Sequence, residues 1–409
     1  MLKKSPLAPK AFPSLPKIKG IRLSSIHSGI RYKDKLDLSL ISMTKDTNVA
    51  CVVTKSRAPS APVIWCKKIR KIGKAKALIV NSGNANAHTG SKGMETVKNT
   101  ANSVASHIGC NANEVYVCST GVIGEHLNEN IIINAISKLK KKKESSWKEV
   151  AESICTTDTF IKGAKSKFNV ENQNFNVIGI AKGSGMIFPN MGTMLGFIFT
   201  DFPLPTKILN ILLKEAVDKS FNSITVDGDT STSDTCLLFS TPSVFFKDSI
   251  KQIKDKRLKP FKDALDKVLQ SLAQQIVCDG EGASKFITIN INSVKSQKSA
   301  RNIGLSIANS SLVKTAIAGE DPNWGRIIMA IGNSDVPFIQ DKISIAINKI
   351  KITKKGSLVA NYKEELVANK MKDKNIVIDI DMGIGKENST VWTCDLTKEY
   401  ININADYRS

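Results

Sequence analysis

The chain has 409 residues and carries 59 lysines and arginines against 37 aspartates and glutamates, a formal net charge of +22. Its 41% hydrophobic and 23% charged residues exclude a disordered or fibrous chain and leave room for two or more globular domains. Eight cysteines without a CxxC pair exclude a disulfide scaffold and favour a reducing compartment.

The first twenty residues, with four prolines, read as an irregular arm and lack the apolar core of a secretory signal. No uncharged stretch reaches membrane-spanning length, so a cytoplasmic protein is expected. Strand-like pieces follow at 36–43, 49–53 and 75–80. The last runs into Asn81-Ser-Gly-Asn-Ala-Asn-Ala-His-Thr-Gly90, read as a small-residue loop. Met94, Val97, Ala101, Val104 and Ile108 recur at helical spacing. A strand at 115–118 enters Ser119-Thr-Gly-Val-Ile-Gly124. A helix over 129–141 ends in lysines that suit the negative end of its dipole. The next starts at Ser146, with Glu149 completing a capping box, and leads to Cys155-Thr-Thr-Asp-Thr159.

Beyond residue 193, Met-Leu-Gly-Phe-Ile-Phe-Thr200 suits a strand buried on both faces. A helix at 205–219 precedes Val226-Asp-Gly-Asp-Thr-Ser-Thr-Ser-Asp-Thr235 and the apolar run 236–239. Another helix, 261–275, is followed by Asp279-Gly-Glu-Gly282 and by alternation over 286–294. Helical pattern at 308–318 meets the loop Gly319-Glu-Asp-Pro-Asn-Trp-Gly-Arg326. Strands at 343–350 and 376–382 lie in a lysine-rich region that reads as a smaller α/β domain. The whole is an α/β or α+β protein. Lysines scattered over polar segments, without zinc-finger spacing or aromatic-basic interleaving, read as a solvated surface rather than a nucleic-acid site. The charge also suits a small anionic substrate.

The chemically informative stretch is Lys182-Gly-Ser-Gly-Met-Ile-Phe-Pro-Asn-Met-Gly-Thr193. Thr193 is either an ordinary core-strand threonine or a nucleophile. Gly192 leaves the preceding carbonyl open to its hydroxyl, and Pro189 and Asn190 impose a turn upstream. Attack on Gly192, an N-to-O acyl shift and ester hydrolysis would free Thr193 as a new N-terminus. Hydroxyl and base then sit on one residue, the free amine titrating at about 8. Thr120 and Gly121 are candidate oxyanion donors or part of a strand-to-helix turn; one such donor contributes about 3–4 kcal/mol. Glu281 is either a surface turn residue or a carboxylate for a substrate ammonium. Asp227, Asp229 and Asp234 have the look of a metal or phosphate loop but lack calcium-loop spacing, and a satisfied turn network is the simpler reading. The glycines match no nucleotide motif, and His27, His88, His107 and His126 form no cluster.

Taken in order, NSGNANAHTG (81–90), STGVIG (119–124), TTDT (156–159), KGSGMIFPNMGTMLGF (182–197), VDGDTSTSDT (226–235), DGEGASKF (279–286), GEDPNWGR (319–326) and INADYRS (403–409) resemble the glutamate N-acetyltransferase (ornithine acetyltransferase) family of arginine biosynthesis. The resemblance runs from near residue 20 to the last residue. It implies self-cleavage into an α chain (1–192) and a β chain (193–409) joined in an α2β2 assembly in the cytoplasm. The implied reaction is ping-pong transfer of acetyl from N2-acetylornithine to glutamate through an acetyl-threonine ester. No bound cofactor or metal is expected; acetyl-CoA enters as a second donor in bifunctional members, and no membrane or specific nucleic acid is involved. The expected fold is a layered αββα-like sandwich over about 20–285 and a smaller α/β domain over about 286–409, whose tail returns to the active site. Carried onto this chain, the nucleophile is Thr193, the oxyanion donors are Thr120 and Gly121, and the cleavage site is Gly192–Thr193. Substrate contacts are Thr156 or Thr157, Lys182, Thr193, Glu281, Asn404 and Ser409. Three residues depart from the pattern: Gly192 stands for the usual alanine, His88 for cysteine, and Ser409 for threonine. A self-cleaving aminopeptidase with an N-terminal threonine is the alternative enzyme, separable by its release of amino acids from peptides.

Overall fold

Among the described residues, short apolar runs punctuated by turn residues become three β-sheets, with helices between and around them. The structure, a computed structural model, describes residues 3–139, 143–188, 194–242, 246 and 249–405. The first part of the chain forms β1 (Ile21–Ile26), β2 (Leu38–Met43), β3 (Asn48–Val53), α1 (Ala61–Ile69), β4 (Ala77–Asn84), α2 (Gly90–Ile108) and β5 (Val115–Val122). Then come α3 (Glu129–Leu139), α4 (Trp147–Ser153), β6 (Lys162–Val170), β7 (Gln173–Lys182), β8 (Leu195–Thr200), α5 (Thr206–Asp218), β9 (Thr235–Ser240) and α6 (Leu258–Cys278). The remainder gives β10 (Phe286–Val294), α7 (Gln297–Ala308), α8 (Ser311–Ala318), α9 (Trp324–Gly332), β11 (Ser344–Ile347), β12 (Ile350–Lys354) and β13 (Ser357–Leu358). It closes with α10 (Glu364–Met371), β14 (Asn375–Asp381), β15 (Glu387–Cys394) and α11 (Lys398–Ala405).

The sheets run β1-β2-β4-β5, β3-β9-β8-β7-β6 and β13-β12-β11-β14-β10-β15. In the second sheet the period-2 rule sorts side chains cleanly. Phe197, Phe199, Leu237 and Phe239 enter a core shared with the first sheet, where Phe239 meets Tyr116 edge-on at 6.2 Å between ring centroids. Ile198, Cys236 and Leu238 point the other way, into a core with α5 and α6. All six residues of β8 are buried, as expected of a strand covered on both faces. The open edge of β5 is covered by α1, whose Trp65 indole donates to the Val115 carbonyl at 2.9 Å. The third sheet has its own isoleucine-rich core, from Ile287 to Val391.

Several elements differ from expectation. β4 continues through Asn84 and β5 through Val122, so NSGN and STGV are strand ends rather than loops. The β6–β7 hairpin was not foreseen. Val170 pairs with Gln173 around a two-residue turn in which Glu171 and Asn172 have φ of 50° and 61°. That is type I′ geometry without the Asn-Gly signal that usually announces it. Helices α7, α9 and α11 and strand β15 were also unforeseen, and the helix read at 308–318 forms as α8 from Ser311, with Asn309-Ser310 separating it from α7. The capping box at Ser146 forms as expected, Glu149 accepting the Ser146 amide at 2.7 Å. Lys162 and Lys314 depart from the solvated-surface reading, being almost wholly buried. Among the described residues no helix is long and apolar enough to cross a membrane.

Phe202 lies 4.9 Å from Phe175, 5.2 Å from Phe168 and 5.5 Å from Phe261, centroid to centroid, with no exposed surface. Phe202→Ala should lower unfolding free energy in urea by about 3–5 kcal/mol, the usual cost of emptying such a site.

Candidate active site

The C-terminal ends of β5 and β7 and the residues entering β8 and β9 meet around a cavity of about 170 Å³. Thr120, Gly121, Thr156, Thr157, Lys182, Glu281 and Asn404 all line it, as does Met194, the residue after Thr193. Every expected site residue that the structure describes is therefore in one place. Gly192, Thr193 and Ser409 lie outside the described residues. His88 is exposed, with φ of 57°, and does not line the cavity.

Gly121 is required by the backbone. Its φ is 133°, and a Cβ there would lie 2.3 Å from the carbonyl carbon of Gly83. This close approach accompanies a register shift at Gly83 and Asn84, which ends the β4–β5 ladder and frees the end of β5 to face the cavity. Lys182, at the end of β7, donates from Nζ to Thr120 Oγ1 at 3.1 Å. The two central sheets thus meet through a lysine and a hydroxyl.

Glu281 is buried, so the surface-turn reading of DGEG is corrected. A Cβ on Gly185 would fall 2.4 Å from Glu281 Oε2, which makes that glycine the space for the carboxylate. Asn404 of α11 donates to the same oxygen at 2.9 Å. Burial pushes the Glu281 carboxyl above its ordinary value, against the pull of its Asn404 and Thr157 hydrogen bonds. Such a group gains most from a cation that enters the cleft with its ligand.

Behind the cleft lies an ion cluster that sequence reading missed. Lys162 Nζ sits 2.6 Å from Asp158 and 2.5 Å from Asp279, with all three side chains fully buried. Asp158 also accepts the Gly183 amide at 2.7 Å and the Thr156 amide at 3.0 Å. Asp279 accepts the Thr159 amide and hydroxyl. Burial would raise Asp158, yet Lys162, Lys182 and the Gly183 amide hold it well below the usual carboxylate range. Burial dominates at Asp279, which is raised to about 6 despite Lys162. The sequence signal was faint: an acid in TTDT and another in DGEG, far apart in the chain.

The chain on either side of residues 189–193 is held by hydrogen bonds. Asp227 accepts the amides of Met186 at 2.6 Å and Ile187 at 2.8 Å, while the Ile187 carbonyl accepts the Val226 amide at 2.7 Å. On the far side, the Met194 carbonyl accepts the Thr235 amide at 3.0 Å. Asp227 thus belongs to the turn network expected of it. Asp234 does not fit that reading, because its carboxylate is buried and Oδ2 has no hydrogen-bond partner. Among the described residues no group of three or more His, Cys, Asp or Glu is arranged to hold a metal ion.

A cavity of this size, walled by hydroxyls, one lysine and two buried carboxylates, Glu281 and Asp234, suits an enzyme acting on small charged molecules. The ArgJ family model matches residues 22–409. The chain is 47% identical over 408 residues to the arginine biosynthesis bifunctional protein ArgJ of Bradyrhizobium diazoefficiens, covering 99% of each. It is 46% identical over 408 residues to the protein of that name from Brucella suis, again covering 99% of each. A crystal structure of the Bacillus halodurans ArgJ protein aligns with 52% of this chain and 99% of its own, at 36% identity and a TM-score of 0.49. The chain belongs to the ArgJ family.

The raised Asp279 carboxyl sets a pH dependence. Its folded value of about 6 exceeds the unfolded value of about 3.9, so the folded state holds a proton that the unfolded chain has lost. Its contribution to stability is full below the unfolded value and falls as pH rises towards about 6. Urea unfolding stepped through this window should show that decline, and Asp279→Asn should flatten it.

Proposed function

We propose that this ArgJ-family chain is an N-acyltransferase that moves acetyl from N2-acetylornithine to glutamate through an ester on Thr193. The observation that carries the reading is the gathering of Thr120, Gly121, Thr156, Thr157, Lys182, Glu281 and Asn404 around one cavity beside Met194. Self-cleavage between Gly192 and Thr193 comes first. The Thr193 hydroxyl attacks the Gly192 carbonyl, the amide nitrogen leaves as the free Thr193 amine, and water then hydrolyses the ester, restoring the hydroxyl and leaving Gly192 with a carboxylate. In turnover that amine takes the hydroxyl proton as Oγ attacks the acetyl carbon, then returns it to the departing ornithine nitrogen.

Two donors converge on the charge that develops on the acetyl oxygen. The Gly121 amide is one. The Thr120 hydroxyl is the other: its oxygen already accepts from Lys182, so its own proton is free for the cleft and is made more acidic by the neighbouring ammonium. Lys182 retains further N–H groups for a substrate carboxylate. Glu281 receives the substrate ammonium, with Asn404 steadying one oxygen. Thr156 or Thr157 and Ser409 complete the substrate contacts.

Two sheets sharing one core, with helices outside, support a layered αββα-like sandwich over about 20–285 and a smaller α/β domain over about 286–409. The proposed working form is an α2β2 assembly of chains 1–192 and 193–409 in the cytoplasm. Acetyl-CoA is the second donor to test.

Thr193→Ala should run as a single band on a denaturing gel, whereas wild type gives two, the second beginning at Thr193. Mixing wild type with glutamate and either N2-acetylornithine or acetyl-CoA, then measuring N-acetylglutamate, tests the reaction; release of amino acids from peptides with no acetyl transfer would favour an aminopeptidase instead. Glu281→Gln should raise the KM for both amino-acid substrates on the order of 30-fold or more, since losing one partner of a buried charge pair costs about 2–5 kcal/mol.

A further inference from the structure

We infer that Ser5, on the arm that precedes β1, is a positioning residue that clamps together two walls of the cleft, the loop at 156–159 and the turn bearing Glu281. The inference rests on the proposed function above for what those walls bind. It adds a role to a stretch that the reaction scheme leaves idle.

The arm forms no helix or strand over residues 3–19, as its four prolines lead one to expect. It is nonetheless tied to the protein at points spread along its length. The Trp147 indole donates to the Pro16 carbonyl at 3.1 Å, and Lys165 Nζ donates to the Ser14 carbonyl at 2.5 Å. Phe12 lies over Gly163, where a Cβ would fall 2.5 Å from its ring, so the glycine makes the seat for this aromatic side chain. Lys374, just before β14, donates to the Pro6 carbonyl at 3.1 Å. Proline limits what the unfolded arm has to lose on being held in this way.

Ser5 is where this course meets the site. Its amide donates to Thr159 Oγ1 at 2.9 Å, and its hydroxyl donates to the Cys278 carbonyl at 2.5 Å. Thr159 Oγ1 in turn donates to the Asp279 carboxylate, which also accepts the Thr159 amide at 3.0 Å. A threonine hydroxyl has one proton, so accepting from the Ser5 amide leaves that proton aimed at Asp279. Bonds in series of this kind strengthen one another. Ser5 therefore grips Asp279 from both sides, through its carboxylate and through the peptide carbonyl that precedes it. Lys162 supplies charge to the same carboxylate, but an ammonium is a point charge with rotatable donors and gives less direction than the held Ser5 amide and hydroxyl. Glu281 lies two residues beyond Asp279, and Thr156 and Thr157 lie just before Thr159; all three line the cavity. Ser5 does not line it. It acts through its neighbours.

The test uses the whole protein with Ser5→Ala, with Ser5→Thr, and with residues 3–9 deleted, which removes the Ser5 amide as well. Wild type must first transfer acetyl from N2-acetylornithine to glutamate, and Glu281→Gln must raise KM; failure of either overturns the underlying reading whatever Ser5 does. With both in place, Ser5→Ala should raise the KM for glutamate and for N2-acetylornithine about three- to tenfold, the scale of one lost hydrogen bond. Its kcat should be nearly unchanged, as for a loss felt equally in ground and transition states. Ser5→Thr keeps amide and hydroxyl and should restore KM. A second readout needs no turnover. In 13C-aspartate-labelled protein the Asp279 carboxyl, at about 6 in the intact chain, should titrate higher in the deletion, because the aimed Thr159 hydroxyl favours its charged form. Lys162, Asp158 and Cys278, the ionisable groups beside it, are untouched by these changes. An unchanged KM in Ser5→Ala overturns the inference, as does a loss confined to kcat, or an Asp279 titration in the deletion identical to that of wild type.

Discussion

The site depends on one buried cation. Lys162 holds Asp158 and Asp279 together in the buried interior, and each carboxylate in turn gathers backbone from a different part of the chain. Through Asp158 it fixes the Thr156 amide and the Gly183 amide, and so the loop before β6 and the one after β7. Through Asp279 it fixes the turn that carries Glu281. Three segments remote in sequence are thereby held at one wall of the cavity. An ion cluster of this kind is an uncertain source of net stability, because desolvation offsets much of the attraction. Its value lies in geometry: no apolar replacement would accept three amides and a hydroxyl in the same directions.

The cleft itself is built on opposed demands. In the proposed reaction, catalysis by an internal hydroxyl needs positive charge and hydrogen-bond donors near the developing oxyanion, the role proposed for Lys182, Thr120 and Gly121. Recognition of an amino acid needs negative charge a short distance away, the role proposed for Glu281. Keeping Lys182 and Glu281 from neutralising each other requires separate anchors. Thr120 takes Lys182, and Asn404 with the space over Gly185 takes Glu281. The result is a cavity polarised along its length.

Much of this was legible in the sequence, for identifiable reasons. Apolar runs such as 195–200 and 236–239 read as buried strands because nothing else accommodates such short continuous hydrophobic stretches. The cleft residues were legible as motifs, since glycines and hydroxyls in STG, KGSG and DGEG have few other uses together. What escaped was decided by distant partners. The β6–β7 hairpin turns on Glu171 and Asn172, which give no strong turn signal. Glu281 reads as a surface residue until α11 is laid over it. The strand character of Thr120 and Gly121 depends on the register of β4, and the roles of Asp158 and Lys162 on a third residue more than a hundred positions away. Asp234 was misread because a serine- and threonine-rich turn ordinarily satisfies its own acids, and here one oxygen is left over.

The order of strands in the second sheet has a bearing on what a cut at 192/193 can do. β3, β6 and β7 precede the cut, whereas β8 and β9 follow it, yet β8 pairs with β7 and β9 pairs with β3. The two polypeptides would be laced together by hydrogen-bond ladders on both flanks of the β8–β9 ribbon. Prising them apart would mean tearing the sheet out of two cores, so a severed backbone would behave as a single folding unit. The break would give the enzyme a new chain end without giving it a new way to fall apart.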